Sequence, residues 1–171
     1  MADTIDKATR SAVMARVRSK DTGPELRLRR ALFAHGFRYR LHNHKLPGTP
    51  DLALAKYGAV IFVHGCLWHW HGCRRSRMPA TNAEYWKAKI ERNCARDRKS
   101  IRQLGEHRLR ILVVWECALA PRLVDETASI AARWLRECKS PGVWCIEPIV
   151  AVESTIPSSR LREVHPPTDD L

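Results

Sequence analysis

Apolar residues recur along this chain with two different periods, and the switches between them outline a fold. From Lys7 to Lys20, Ala8, Val13, Met14 and Val17 fall among Arg10, Arg16, Arg18 and Lys20, a basic amphipathic stretch of helical length. Thr22 and Glu25 have capping-box spacing, Leu26, Leu32 and Phe33 are expected to supply an apolar face, and Gly36 to stop that helix. Phe37, Tyr39 and Leu41 then alternate with arginines as in a half-buried strand, and Leu52 to Leu54 begins another after Pro47, Gly48 and Pro50. Tyr57 and Gly58 turn the chain into Val60 to Val63. Thr81 and Glu84 repeat the capping-box spacing, and Trp86, Ile90, Cys94, Ile101 and Leu104 keep helical spacing until Gly105. Leu109 to Trp115 reads as a buried strand, and Leu123, Ile130, Trp134 and Leu135 mark a last helix. The order α, β, β, β, α, β, α predicts an α/β fold with a mixed sheet flanked by helices.

Length and composition narrow the partners. The chain has 171 residues with 44% hydrophobic, enough for one domain with a core. We expect that domain to span 1–145, basic N-terminal helix included, and 146–171 to be a loosely ordered tail rich in proline and small polar residues. A net charge of +12 favours a polyanion, nucleic acid before anionic membrane. No apolar run approaches the roughly 20 residues that span a bilayer, and the N-terminus has no secretory pattern, so a cytoplasmic location is expected. There the six cysteines are expected to remain thiols.

Two clusters carry chemistry. Cys66, His71 and Cys73 form C-x4-H-x-C, and Cys117 follows the buried strand ending at Trp115; three thiolates and an imidazole make a closed tetrahedral set for structural Zn²⁺. Cys94, Cys138 and Cys145 have no partner at ligand spacing and read as packing residues. Asp51 opens one strand while His64 ends the next, with His69 five residues on, an arrangement suited to Mg²⁺ and proton transfer. Asp97 borders the apolar stripe of the long helix and needs a partner, either a neighbouring arginine or a histidine that it orients. Trp68 and Trp86 are either core residues or a stacking surface for bases.

Taken together, the chain resembles the very-short-patch (Vsr) mismatch repair endonucleases. The likeness runs from Asp6 to about Cys117, through DKATRSAVMARVRSKDTGPELRLR, LPGTPDLAL, VIFVHGCLWHWHGC, YWKAKIERNCARD and VVWEC. It implies a restriction-endonuclease-like fold and a Mg²⁺-dependent nick 5′ to the thymine of a T:G mismatch in double-stranded DNA, which starts repair of deaminated 5-methylcytosine. By resemblance Asp51 holds Mg²⁺ with the main-chain carbonyl of Val63, His69 is general base, and His64, Asp97 and Glu25 support the reacting water and phosphate. The same resemblance makes Cys66, His71, Cys73 and Cys117 the zinc set, and Leu67, Trp68 and Trp86 a wedge driven into the duplex. Met14 presses from the other groove, and Lys89 and Asn93 address the mismatched pair. It also suggests mismatch-repair proteins as partners, and one nick needs only a monomer.

Two positions depart from expectation. Position 67 is Leu where an aromatic is expected, which shifts stacking onto the tryptophans. Phe62 and His64 stand where related restriction-type nucleases carry an acid and a lysine, which leaves proton abstraction to a histidine. Two alternatives stay open at this level: a non-catalytic zinc-bearing DNA-binding module, and a restriction nuclease acting on fully paired DNA.

Overall fold

The structure, a computed structural model, describes residues 20–149 and 158–164. The expected helix at Lys7 to Lys20, with Met14, therefore lies outside the described residues, save Lys20. Among the described residues three α-helices, α1 (Gly23–Ala34), α2 (Ala83–Glu106) and α3 (Val124–Glu137), accompany six strands: β1 (Arg40–Leu41), β2 (Leu52–Leu54), β3 (Ala59–His64), β4 (Arg110–Trp115), β5 (Gly142–Ile149) and β6 (Ser158–Glu163). The strands form one sheet in the order β1-β2-β3-β4-β5-β6. β1 to β3 run as an antiparallel meander, β4 and β5 lie parallel to β3, and β6 returns antiparallel. This is the mixed, restriction-endonuclease-like α/β sheet expected.

Alternation along the central strands builds two apolar layers. Ala59, Ile61, Leu112, Val114 and Ile146 face α1 and α3, meeting Leu28, Leu32, Ala131 and Leu135. Val60, Phe62 and Ile111 face the opposite way and pack on Leu104 and Ile101 of α2. The helices thus cover both sides of strands that are apolar on both sides.

α1 buries a different stripe from the one expected. Leu26 and Phe33 are exposed, whereas Glu25, Leu28, Arg29 and Leu32 are buried. Those four follow helical spacing, and the two polar members can be buried because they bond each other, Arg29 Nη2 donating to Glu25 Oε2 at 2.7 Å. Gly36, at φ 88°, completes a Schellman turn: its N–H meets Phe33 O and that of Phe37 meets Leu32 O, both at 3.0 Å. That turn draws Phe37 into the core, so only Arg40 and Leu41 of the expected strand join the sheet, with Leu41 exposed.

α2 starts after Asn82, one residue later than the spacing of Thr81 and Glu84 implied. It runs one residue past Gly105 to Glu106, and Arg108 rather than a glycine makes the turn that closes it. Arg108 takes the left-handed turn (φ 54°), with its N–H on Gly105 O and that of Leu109 on Leu104 O. Buried Arg110 donates to the carbonyls of Trp134, Leu135 and Cys138 at the end of α3 and to Tyr57 O, a cation placed where the helix leaves carbonyls unpaired.

The chain beyond 145 also differs from expectation. The boundary falls inside β5, and Ser158–Glu163 forms an edge strand instead of loose tail. Arg160 and Arg162 conceal this in the sequence: their charges are matched by Glu147 on β5, a pairing visible only once the strands lie side by side.

Candidate active site and metal centre

Asp51 reaches its position through a strained connection from β1. His42 and Thr49 have left-handed backbone, at φ 44° and 51°. Gly48 lies so close to α2 that an added Cβ would stand 2.7 Å from Ser100 Cβ. This contact pins the turn, and a side chain at position 48 would displace it. Asp51 Oδ2 accepts the Val63 N–H at 2.7 Å, and Oδ1 lies 3.9 Å from His42 Nδ1. Burial pushes the Asp51 carboxyl up to about 6, against the Val63 hydrogen bond.

His64 ends β3, and tight turns then bring the chain back over it: the N–H groups of His69 and His71 bond Gly65 O and Cys66 O. The rings of His64 and His69 consequently stack, 3.9 Å between centroids and 8° from parallel. Asp97, from α2, meets His69 Nδ1 through Oδ2 at 2.5 Å. Of the two partners the sequence left open for Asp97, the structure selects the histidine. Nδ1 being engaged, Nε2 is the nitrogen left for proton transfer. Burial works to raise the Asp97 carboxyl, but the His69 hydrogen bond outweighs it and the net shift is downward. Burial, with His69 beside it, drops the His64 imidazole to about 3, so it is neutral wherever the protein is folded and near neutral pH.

Asp51, Val63, His64, His69 and Asp97 line one cleft of 670 Å³ with Glu25, Trp68 and Asn93. Glu25, however, is fully engaged: Oε1 accepts from the Thr22 hydroxyl at 2.8 Å, and Oε2 from Asp21 N–H at 3.0 Å and from Arg29. His42, whose Nε2 lies 3.1 Å from Arg29 Nη2, joins this network and the cleft wall. No spacing in the sequence singled it out.

The aromatic residues gather at the start of α2. Trp68 and Trp86 lie 5.6 Å apart, and exposed Tyr85, which no spacing in the sequence singled out, stands edge-on to Trp86. Lys89 Nζ lies 5.0 Å from the Trp68 ring and 5.6 Å from that of Trp86. Asn93 donates to Trp68 O at 3.1 Å and accepts from Arg96. Gly65 admits this arrangement, since a Cβ there would meet Trp68 Cδ1 at 2.9 Å.

Cys66, His71, Cys73 and Cys117 converge with all ligand atoms within 4.8 Å of one another. Tetrahedral zinc with Zn–S near 2.3 Å needs ligand atoms about 3.8 Å apart, so the set fits that ion. His71 turns Nδ1 to Cys117 Sγ at 3.3 Å and Nε2 to Glu147 Oε2 at 3.0 Å. Burial works against protonation of His71, yet hydrogen bonds to Cys66 and Glu147 raise it to about 9, and the Cys117 hydrogen bond lowers the Cys66 thiol to about 4. Trp115 joins the two centres, stacked on His71 at 4.2 Å and edge-on to His64 at 5.5 Å.

A sheet that delivers an acid and a carboxylate-oriented histidine to one cleft, beside a Cys/His cluster that could hold a metal ion, is an arrangement of the nuclease class. The family model for the DNA mismatch endonuclease Vsr matches residues 2–75. The DNA mismatch endonuclease Vsr of Escherichia coli (strain K12) is 47% identical over 128 residues, 74% of this chain and 82% of the relative. The type II nicking enzyme V.XorIIP of Xanthomonas oryzae is 44% identical over 70% of this chain and 88% of its own. V.NmeAIP of Neisseria meningitidis, another type II nicking enzyme, is 40% identical over 72% and 89%. The chain belongs to the Vsr family of DNA mismatch endonucleases.

Proposed function

We propose that this protein is a cytoplasmic endonuclease that nicks double-stranded DNA on the 5′ side of the thymine in a T:G mismatch and so starts very-short-patch repair. The observation that carries the reading is the His69–Asp97 pair, set in one cleft with Asp51. His69 Nε2 takes the proton of the attacking water while Asp97 holds Nδ1–H and steadies the imidazolium that results. His64, stacked on His69 and neutral, adds no second charge against that cation. Glu25 acts through Arg29 and the start of α1, as a positioning residue. Asp51 and the Val63 carbonyl would hold Mg²⁺, which suits so few protein oxygens because it retains waters, and which would supply positive charge to the phosphate. Zn²⁺ at the thiolate set would be structural, fixing the 65–73 loop that carries Trp68 and His69.

Trp68, Trp86 and Leu67 would wedge into the duplex, with Lys89 and Asn93 beside them and Met14 approaching from the other groove. A T:G wobble step opens at less cost than a paired one, so insertion converts deformability into selectivity. The net charge of +12 supplies sequence-independent attraction to phosphates. In a duplex assay with Mg²⁺, the wild type is expected to nick T:G DNA and spare the fully paired duplex of the same sequence. Asp51→Ala should abolish the nick while binding persists. Equal cutting of both duplexes would remove mismatch selectivity, and wild-type cutting by the variant would remove Asp51 from the mechanism.

A further inference from the structure

Glu147 lies on β5, is 8% exposed, and touches none of the cleft. Its two oxygens are divided. Oε2 meets His71 Nε2 at 3.0 Å, while Oε1 accepts from Arg160 Nη2 at 2.8 Å and Nε at 3.1 Å and from Arg162 Nε at 3.0 Å. The two arginines stand two residues apart on β6, so their side chains share a face of the sheet and converge on one carboxylate oxygen. Charge gives this arrangement a purpose. With Zn²⁺ bound, three thiolates would leave the cluster with a net charge of −1, Glu147 would add a second negative charge, and the two guanidinium groups would cancel both.

We infer that Glu147, clamped by Arg160 and Arg162, is the positioning residue of the metal centre: it fixes the His71 ring with Nδ1 toward the thiolates, and so makes zinc retention depend on the β5–β6 hairpin. The inference rests on the zinc reading of Cys66, His71, Cys73 and Cys117. A histidine ligand whose outer nitrogen is held by a carboxylate loses one torsional freedom and gains basicity, and removal of such a partner costs 10–100-fold in metal affinity in known sites. Both strands lie beyond the segment, Cys66 to Cys117, whose sequence pattern marked the cluster.

The test is zinc release from the purified full-length protein to a chromogenic chelator, with metal content measured first. Wild type is expected to carry about one zinc per chain. Glu147→Ala should release it about 10–100-fold faster, and Glu147→Gln, whose amide oxygen can still accept from His71, should recover most of the difference. Arg160→Met with Arg162→Met should also quicken release, because the carboxylate is then free to turn. Should Glu147→Ala not fold, Glu147→Gln against the arginine pair carries the comparison. Wild-type release rates in the folded variants would overturn the inference while leaving the zinc site standing. A wild-type protein without zinc would overturn the zinc reading and this inference with it.

Discussion

Two histidines two residues apart are each held by a carboxylate, and they serve opposite ends. His69 gives Nδ1 to Asp97 and stands in the open cleft; His71 gives Nε2 to Glu147 and turns Nδ1 into a closed set of sulfurs. In the proposed function the same pairing would prepare one ring to move a proton and the other to hold a metal, and the difference lies in what faces the second nitrogen. Open space and solvent favour turnover, whereas three thiols exclude it. The 65–73 loop can hold both because Trp115 fills the gap between them, touching His64 on one side and His71 on the other.

The contrast breaks most readily at Asp97. Asp97→Asn should leave DNA binding and zinc content unchanged but lower the single-turnover nicking rate by about 10³–10⁴-fold, since an amide neither holds the correct tautomer nor steadies the imidazolium. A loss below tenfold would mean that His69 is not the base. On the other side, Cys117→Ser should spare the cleft chemistry in kind but weaken the metal centre; with free zinc 1,000-fold above the wild-type Kd, the binding it forfeits is worth about 4 kcal/mol of stability. Denaturant unfolding with and without chelator would read that loss, and a chelator-insensitive wild type would contradict it. Trp68→Ala should weaken binding to T:G duplex by about 1–3 kcal/mol, the range for a lost base stack, and weaken binding to paired duplex less. Equal losses on both would place Trp68 outside mismatch recognition.

The smallest effect concerns pH. His64 is kept neutral in the folded state down to about pH 3, whereas the unfolded chain takes up a proton on it below about 6.5. The unfolded state thus binds more protons as pH falls, and stability is lost with acid, by up to about 1.4 kcal/mol per unit below 6.5. His64→Asn, measured beside the wild type between pH 4.5 and 8, should show a shallower decline. Parallel curves would mean that His64 titrates alike in both states.

Much of the chemistry was legible because its residues are rare and closely spaced. Cys66, His71 and Cys73 fall within one loop, and Asp97 betrayed itself as a carboxylate on the edge of an apolar stripe. Glu147 and His42 gave no such sign, since each earns its place from a neighbour distant in sequence: Glu147 lies 76 residues from His71, and His42 meets Asp51 and Arg29 only through a left-handed turn. Leu26 and Phe33 misled for a related reason. Hydrophobicity marks what tends to be buried, but Glu25 and Arg29 are buried as a bonded pair, which a scale of single residues cannot register.

By itself the sequence determined the succession of helices and strands from Gly23 to Glu137, the polyanionic partner class and the Cys/His set, because periodicity, charge and ligand spacing are local properties. Only the tertiary structure decided which histidine Asp97 would orient, which carboxylate would hold His71, and that the arginines near the C-terminus would join a sheet. Those choices depend on which side chains meet across separate strands and helices, and on charges that become affordable to bury once their partners are in reach.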